Sequence, residues 1–492
     1  MSEQGNPSRF ATVDVICLLA FFIGLIVLLN FYGYALLPSF PDESLFLQPA
    51  QNLMEGKGFG TPALDNLLPG ISQRTYWQPP VYFLVLAAWG KLFGFDVLSS
   101  RLMSRFCAIG VLILLWLLAN RWGVSRWLAL ICVIWTGLDL TFQYNANFGR
   151  MDTLNAFWLL ASLFSFTTYE EKGKDWQAGL AGGFGALATL THFIAIPNVL
   201  ALGAILAWWK RWKALVWFSF PIAVGWVLWL TYAAQDWQSW HGQLWLQFAQ
   251  KSKNGLFIVL PRALFLQSFL PLFGVFSTNV PPIWFALVAL SVWGWMRKHL
   301  PIKSWQIVSL SMTYFSAAIG GEPWYIGWWT PFGYLWLCSF LQFGLERLLK
   351  GFWLFALRVF CALWICWQLL WIGRTVTYVP ILKRDVDKFY SELQTTLPKG
   401  SKILLHSIPD AFPYLQRTRP DLKMVQLSPT PMPLKAIAQV SNSSDLFVGV
   451  TEWAEKLGLT LADAKRYWFF RTPLGGWSVK IHLLKSLRVK GK

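Results

Sequence analysis

Charged residues are scarce in this chain. Only 13% of its 492 residues are Asp, Glu, Lys or Arg, whereas 55% are hydrophobic, and apolar stretches of about twenty residues recur along it. About twenty apolar residues in a helix are enough to cross the hydrocarbon core of a bilayer. The composition therefore excludes an ordinary water-soluble domain and predicts an α-helical polytopic membrane protein.

Cysteine is also scarce. The six cysteines all lie inside apolar stretches, without the spacing of metal ligands. They are expected to be small core residues, which excludes a disulfide framework and a cysteine zinc site. Tryptophan, by contrast, is abundant, with 32 residues, many of them at the ends of apolar stretches. That placement is typical of the membrane–water interface.

The formal charge of +18 invites a nucleic-acid partner, but its distribution favours another explanation. Lys and Arg occur as short clusters between apolar stretches, at 121–126, 172–174, 210–213, 297–303 and 347–350. The preference of these residues for cytoplasmic loops explains such a pattern. We therefore expect the protein to reside in a lipid bilayer and not to bind nucleic acid.

With the N-terminus in the cytoplasm, about eleven crossings place every basic cluster inside. The predicted crossings are 12–37, 98–119, 127–144, 153–168, 176–192, 194–209, 214–233, 280–296, 304–320, 328–346 and 353–373. Two more apolar stretches, 79–93 and 262–278, contain or border prolines and are expected to lie along the outer face as interfacial helices. The alternative is that both cross and neighbouring short spans fuse. The first stretch is too long for a cleavable signal, so we expect a multi-pass protein of the cell (plasma or inner) membrane.

The composition changes near Arg374 and becomes mixed and polar. Strand-like segments at 402–406, 423–427, 445–450, 467–470 and 477–484 alternate with helix-like segments at 385–396 and 451–457. This alternation predicts a small α/β domain at 375–492, after a membrane part at 1–374 whose first outer loop is 38–97. An odd number of crossings places the domain outside the cell.

The outer loops contain the candidate site. Asp42 and Glu43 follow the first apolar stretch, and Asp152 lies at the outer end of the third. A carboxylate at a membrane boundary costs about 2.5–3.5 kcal/mol on insertion scales unless it is solvated or partnered. Acidic and basic side chains that meet just above the bilayer suit a lipid-phosphate substrate. The other candidates on these loops are Lys57, Arg74, Tyr76, Gln78, Arg262 and Tyr325.

The order of these motifs resembles that of the membrane glycosyltransferases with the GT-C fold, and most closely the protein O-mannosyltransferase and lipid-A aminoarabinose transferase group. The resemblance covers about residues 10–375. The motifs that carry it are Pro41-Asp42-Glu43, Tyr76-x-x-Pro79-Pro80-x-Tyr82-Phe83, Lys91-Leu92-Phe93-Gly94, Arg101-Leu102-Met103-Ser104, Arg150-Met151-Asp152 and Glu322–Pro331.

The resemblance implies transfer of a sugar from a polyprenyl-phosphate donor to a hydroxyl acceptor (protein, lipid or glycan) at the outer face, with inversion. Asp42 matches the family's catalytic aspartate and is expected to be the general base, a role that contributes about 10²–10⁴-fold. Asp152 matches the second acidic motif, and Glu43 is a further catalytic candidate. A lipid phosphate leaves as an anion, so no general acid is needed for the leaving group. No cofactor is expected, and the motifs do not require a divalent metal.

One position departs from the family pattern. Relatives usually have Lys or His immediately before the two prolines, whereas this chain has Gln78, which donates hydrogen bonds but carries no charge. Arg74, Lys57 or Arg262 would then supply the positive charge for the phosphate. Tyr325 is a candidate to contact the sugar.

Each candidate also has a structural explanation. Asp42 and Asp152 could cap helices, Glu43 could be a first-turn acid, and Tyr325 could be an interfacial anchor. Arg101 and Arg105 lie four residues apart and are expected to hold the first loop by ion pairs. For the whole protein, the alternatives are a transporter or lipid flippase, and a noncatalytic scaffold. A transporter predicts charged residues near the middle of the spans, and this chain has few.

Overall fold

The computed structural model describes residues 7–35, 39–252, 303–320, 324–342, 351–406, 409–427, 434–449, 464–472 and 475–483. Most of this part of the chain is helical. The α-helices up to residue 252 are α1 (Pro7–Ala35), α2 (Pro41–Met54), α3 (Val81–Phe93), α4 (Val97–Arg121), α5 (Arg126–Leu138), α6 (Leu140–Ala146), α7 (Asp152–Lys172), α8 (Asp175–Thr191), α9 (Ile196–Trp208), α10 (Trp212–Ala233) and α11 (Trp237–Ser252).

The later elements combine further helices with a mixed sheet. The helices are α12 (Ser304–Gly320), α13 (Trp324–Phe340), α14 (Phe352–Thr396), α15 (Phe412–Thr418) and α16 (Leu434–Asn442). The strands are β1 (Lys402–His406), β2 (Lys423–Gln426), β3 (Leu446–Gly449), β4 (Ala464–Thr472) and β5 (Gly475–Leu483).

Every predicted crossing that falls on described residues overlaps a helix, and the predicted interfacial stretch 79–93 is helix α3. By length and composition, two stretches of the described residues can cross a membrane on their own: Val97–Arg121 and Trp212–Leu246. The others are shorter or less apolar. The predicted crossing 280–296 and the predicted interfacial stretch 262–278 lie outside the described residues.

The predicted crossing 127–144 is not one helix, because Asp139 interrupts it between α5 and α6. The backbone of Asp139 is extended, and its carboxylate accepts the N–H of Thr141 at 2.9 Å and the hydroxyl of Tyr334 at 2.9 Å. These contacts make Asp139 the N-cap of α6. Asp139, an acid inside a predicted crossing, therefore has a structural role.

Charged residues lie at both ends of two helices of the bundle. Helix α4 carries Arg101 near the acidic candidates and Arg121 at its other end, and α7 runs from Asp152 to Lys172. Three ion pairs lie at this second end: Arg121–Glu171 at 3.7 Å, Lys303–Glu170 at 2.7 Å and Lys213–Asp175 at 3.2 Å. Basic clusters that the sequence analysis placed in the cytoplasm thus lie together, at the end of the bundle opposite the acidic candidates.

Helices α8 and α10 approach closely at Gly182. A Cβ atom there would lie 1.8 Å from the backbone oxygen of Phe218, whereas one at Gly183 would have no neighbour within 4 Å. We expect Gly182→Ala to lower the melting temperature in detergent, because forcing the helices apart costs about 1–3 kcal/mol. Gly183→Ala should leave it unchanged or raise it, since alanine favours the helix. Equal melting of the two variants would contradict this packing.

The sheet has the strand order β2-β1-β3-β5-β4. Strand β1 pairs in parallel with β2 and β3, and β5 pairs antiparallel with β3 and β4. All five strands overlap the segments that the sequence predicted. The predicted domain boundary at 374 lies inside α14, which runs without a break from Phe352 to Thr396. A continuous helix, rather than a linker, therefore leads from the membrane part to the sheet.

The C-terminal part packs on the first outer loop. Buried side chains of both belong to one hydrophobic cluster, which includes Leu45, Phe46 and Leu64 from the loop and Phe389, Phe412 and Leu415 from the C-terminal part. Helix α2, which carries the acidic pair, is buried over its first ten residues, 41–50. This packing fixes the position of the candidate site beneath the C-terminal part.

Candidate active site

Helix α2 begins at Pro41, immediately before the acidic pair. Pro41 occupies a position in the first turn, where the missing N–H is not needed. The Glu43 carboxylate accepts the backbone N–H of Phe40 at 3.1 Å, while the N–H of Glu43 donates to the Phe40 carbonyl at 2.9 Å. This reciprocal contact closes the helix end. It leaves Asp42 and Glu43 buried in the first turn.

Glu43 is the most enclosed acid of the site, with no exposed surface. Arg101 on α4 donates to both of its oxygens, from Nε to Oε1 and from Nη2 to Oε2, each at 2.7 Å. The backbone N–H of Gly149 donates to Oε1 at 2.8 Å. Glu43 thus joins α2, α4 and the loop before α7. The prediction that Arg101 holds the first loop by an ion pair is confirmed.

Gly149 has to be glycine for this contact. A Cβ atom would lie 2.1 Å from Oγ of Ser100 and 3.4 Å from Oε1 of Glu43. The absence of a side chain lets the loop approach α4 closely enough for its N–H to reach the Glu43 carboxylate.

Arg150 bridges the other two carboxylates. Its Nη1 donates to Oδ2 of Asp42, and its Nε donates to Oδ2 of Asp152 at 2.9 Å. The guanidinium carbon lies 5.8 Å from the ring centre of Phe46. Asp42 on α2 and Asp152 on α7, which are 110 positions apart, therefore meet at one cation, as their predicted location at the same face suggested.

The second oxygen of each carboxylate is available. Within the described part of the chain, no donor contacts Oδ1 of Asp42 or of Asp152. Neither oxygen is a fully buried polar atom that lacks a partner, so both remain accessible. The Asp42 side chain retains 9% of its exposure and that of Asp152 retains 2%. Each can accept a proton while Arg150 holds its other oxygen.

Arg105, one turn along α4 from Arg101, makes hydrogen bonds and, among the described residues, no ion pair. Its Nη1 donates to Oδ1 of Asn30 at 2.7 Å and its Nε to Oδ1 of Asn147 at 3.2 Å. It therefore connects α1 to the loop that carries Arg150. The prediction that it holds the first loop by an ion pair is wrong, because its nearest partners are amides.

The residues of the Tyr76 motif form an aromatic cluster. Tyr76 is fully buried against Trp229 and Tyr232, with ring centres 5.9 and 5.8 Å away. Arg74 lies over the Tyr232 ring at 5.6 Å, and its Nη1 is 3.5 Å from the Tyr76 hydroxyl. Gln78 is half-buried, and its Oε1 has no donor among the described residues. The structure thus brings Arg74 and Tyr76, two of the predicted substrate-binding residues, together in one cluster.

The structure shows no contact of Lys57 with this cluster. Lys57 is 66% exposed and pairs with Glu55 at 2.5 Å at the protein surface. Arg262 lies outside the described residues.

Tyr325 is buried and lies against His192. The Nδ1 atom of His192 accepts the N–H of Ile194 at 3.0 Å, so a neutral ring carries its proton on Nε2, which donates to the Tyr325 hydroxyl at 3.3 Å. Asn155, three residues after Asp152, donates to the Ala188 carbonyl at 2.6 Å and accepts from Trp328 at 2.8 Å. These contacts tie Tyr325 to the helix that begins with Asp152.

Sequence reasoning included Arg150 in a family-like motif but did not predict that its side chain lies between Asp42 and Asp152. The available signal was its place in the motif Arg150-Met151-Asp152. No group of three or more His, Cys, Asp or Glu side chains that could hold a metal ion occurs in the part of the chain that the structure describes.

A helical bundle with this outer loop and a C-terminal sheet has the GT-C fold of membrane glycosyltransferases, which confirms the predicted resemblance at the level of fold. Crystal structures of ArnT from Cupriavidus metallidurans, bound to undecaprenyl phosphate and in the apo state, are similar, with TM-scores of 0.54 and 0.53. They share 12% and 13% identity with this chain, and the superpositions cover 94% and 96% of it and 97% and 98% of those chains.

Two relatives are similar in sequence. One, from Sodalis glossinidius (strain morsitans), is an undecaprenyl phosphate-alpha-4-amino-4-deoxy-L-arabinose arabinosyl transferase, 24% identical over 250 residues, 46% of this chain. The other is an uncharacterized protein from Aquifex aeolicus, 26% identical over 151 residues, 31% of this chain. The matches span less than half of each relative, 43% and 29% of their lengths. No family model matches the chain.

Proposed function

We propose that this protein is a membrane glycosyltransferase that transfers a sugar from a polyprenyl-phosphate donor to a hydroxyl acceptor at the outer face of the cell membrane. The observation that carries the proposal is the pair of carboxylates, Asp42 and Asp152, that share the Arg150 guanidinium while each keeps one oxygen available. The fold of ArnT, whose structure holds undecaprenyl phosphate, supports the choice of a lipid-phosphate donor.

The proposed reaction is one displacement with inversion. The acceptor oxygen forms a bond to the anomeric carbon, the bond from that carbon to the phosphate oxygen breaks, and the acceptor proton passes to Oδ1 of Asp42. The lipid phosphate leaves with the bonding electrons as an anion. Asp42 is preferred to Asp152 as the base because its side chain is more exposed, 9% against 2%.

Arg150 fixes the orientation of the base in this proposal. Charge-assisted hydrogen bonds from one rigid guanidinium to two carboxylates restrict both side chains. Asp152 then has a supporting role, since it holds Nε of Arg150 while Nη1 holds Asp42. Glu43 is better explained as a structural acid than as a catalytic one, because Arg101, Phe40 and Gly149 donate to both of its oxygens.

The donor phosphate is proposed to bind near Arg74 and Gln78. Arg74 offers a positive charge beside the aromatic cluster, and the amide NH₂ of Gln78 can donate hydrogen bonds to phosphate oxygens. Lys57 is a weaker candidate, because it is exposed and paired with Glu55. The Tyr325 hydroxyl, which His192 orients, is proposed to contact the sugar.

The test is sugar transfer by the purified wild-type protein. Undecaprenyl-phosphate pentoses and hexoses with radiolabelled sugars are incubated with an envelope extract that supplies hydroxyl acceptors. We expect at least one donor to release undecaprenyl phosphate and label an acceptor. The same sugar on neutral undecaprenol, which lacks the phosphate leaving group, should not react. Movement of intact donor across vesicle membranes without sugar transfer would overturn the proposal in favour of a lipid transporter.

A further inference from the structure

The C-terminal part is hydrogen-bonded to the first turns of α2. The backbone N–H of Asp410 donates to the Ser39 carbonyl at 2.6 Å. The Ser44 hydroxyl lies 2.8 Å from Oδ2 of Asp410 and 2.9 Å from Oε1 of Gln426. Ser44, Asp410 and Gln426 are all buried. These contacts join residues 366 and 382 positions apart, directly beside the acidic pair.

The number of hydrogen atoms that Ser44, Asp410 and Gln426 can share determines which hydrogen bonds form among them. Ser44 has one hydroxyl hydrogen, yet three acceptors surround it: the Pro41 carbonyl at 3.0 Å and the two side-chain oxygens of Asp410 and Gln426. Nε2 of Gln426 already donates to Oδ2 of Asp410 at 2.9 Å. A proton on Asp410 supplies the missing hydrogen, because Asp410 can then donate to Ser44, which donates onward.

The surroundings of Asp410 make that proton easier to retain than on a solvated aspartate. Burial raises the pKa of Asp410 to about 6, and the nearby Glu43 carboxylate acts in the same direction, whereas hydrogen bonds from Phe412, Ser44 and Gln426 oppose it. The Tyr390 hydroxyl on α14 donates to the Asp410 carbonyl at 3.0 Å. The second oxygen of Asp410, Oδ1, accepts the N–H of Phe412 at 3.1 Å, which leaves Oδ2 for the contact with α2.

We propose that Ser44, Asp410 and Gln426 form an interdomain clasp that positions the first turn of α2, and with it Asp42, for transfer. Ser44 lies two residues after Asp42 on the same helix, so a displacement at Ser44 moves the carboxylate. The C-terminal part then acts on catalysis through α2. The kinetic part of this inference rests on the proposed function, whereas the positioning of α2 does not.

The test compares Ser44→Ala and Asp410→Ala with Asp410→Asn. Asparagine keeps the shape, accepts the Phe412 N–H and donates toward Ser44 and Gln426. If the Gln426 amide turns over, its Oε1 accepts from the asparagine and its Nε2 donates to Ser44, so this variant should retain the clasp. Asp387→Ala is the matched control, because Asp387 is an exposed carboxylate lining the cavity beside the clasp. The readouts are hydrogen exchange of peptides covering 41–54 and 402–406, together with kcat and KM for the donor.

We expect Ser44→Ala and Asp410→Ala to speed exchange in α2 about tenfold and to lower kcat about tenfold at nearly constant KM, the size expected for one buried hydrogen bond. Exchange in β1 should stay unchanged in Ser44→Ala, which separates loss of positioning from unfolding of the sheet. Unchanged α2 exchange in Ser44→Ala would overturn the inference. Faster α2 exchange in a protein without transferase activity would retain the clasp and reject the proposed function instead.

Discussion

Glu43→Gln is expected to destabilise the protein by about 3–5 kcal/mol, the cost of breaking a buried ion pair by removing one partner. Glutamine has nearly the same shape, but it removes the negative charge that faces the buried Arg101 guanidinium and places an NH₂ group against one of the N–H donors of Arg101. The stability is lost because Glu43 makes the contacts that join α2, α4 and the loop before α7. A thermal melt in detergent measures it as a large drop in melting temperature.

The control for this prediction is Glu55→Gln. Glu55 also accepts from a cation, Lys57, but both side chains are more than one third exposed. Exposed pairs contribute little to stability, so this variant should melt like the wild type. Removing both charges, in Glu43→Gln with Arg101→Met, should recover part of the loss. Equal melting of Glu43→Gln and Glu55→Gln would show that the buried pair does not hold the site together.

The elements that could be predicted from sequence are those with a local signal. Apolar stretches of sufficient length located the helices, and alternating short segments located all five strands. The positions of Asp42 and Asp152 at the ends of apolar stretches placed both at one face, and the structure brings them to the same guanidinium. Each of these inferences depends on neighbours within about one element.

The rest depends on contacts between distant parts of the chain. The contact of Arg150 with Asp42 and that of Ser44 with Asp410 have no local pattern, because the partners are 108 and 366 positions apart. The break at Asp139 was missed because a polar cap within an apolar stretch is conspicuous only once Tyr334 and Thr141 are seen around it. Arg105 was assigned an ion pair because spacing alone does not identify its amide partners.

The second large effect is expected for Asp42→Asn, with a loss of about 10²–10⁴-fold in transfer rate, the contribution of a positioned general base. Asparagine keeps the side-chain shape and an oxygen for the hydrogen bond from Arg150. It cannot take the acceptor proton. Because Arg150 remains held by Asp152, the melting temperature should change much less than in Glu43→Gln.

Two variants separate the proposed base from its neighbours. Asp152→Asn should reduce transfer less than Asp42→Asn, since Asp152 is proposed to orient Arg150 rather than to accept the proton. Asp65→Asn is the matched control: Asp65 is an exposed acid of the same outer loop, and its carboxylate accepts only from Asn66 among the described residues. It should transfer at the wild-type rate.

The measurement that tests the account most directly is the initial rate of sugar transfer from a polyprenyl-phosphate donor by wild-type protein, Asp42→Asn, Asp152→Asn and Asp65→Asn at matched folded concentration. The account predicts wild-type transfer for Asp65→Asn, a partial loss for Asp152→Asn and the greatest loss for Asp42→Asn. Transfer at the wild-type rate by a folded Asp42→Asn protein would contradict the central claim that this carboxylate is the catalytic base.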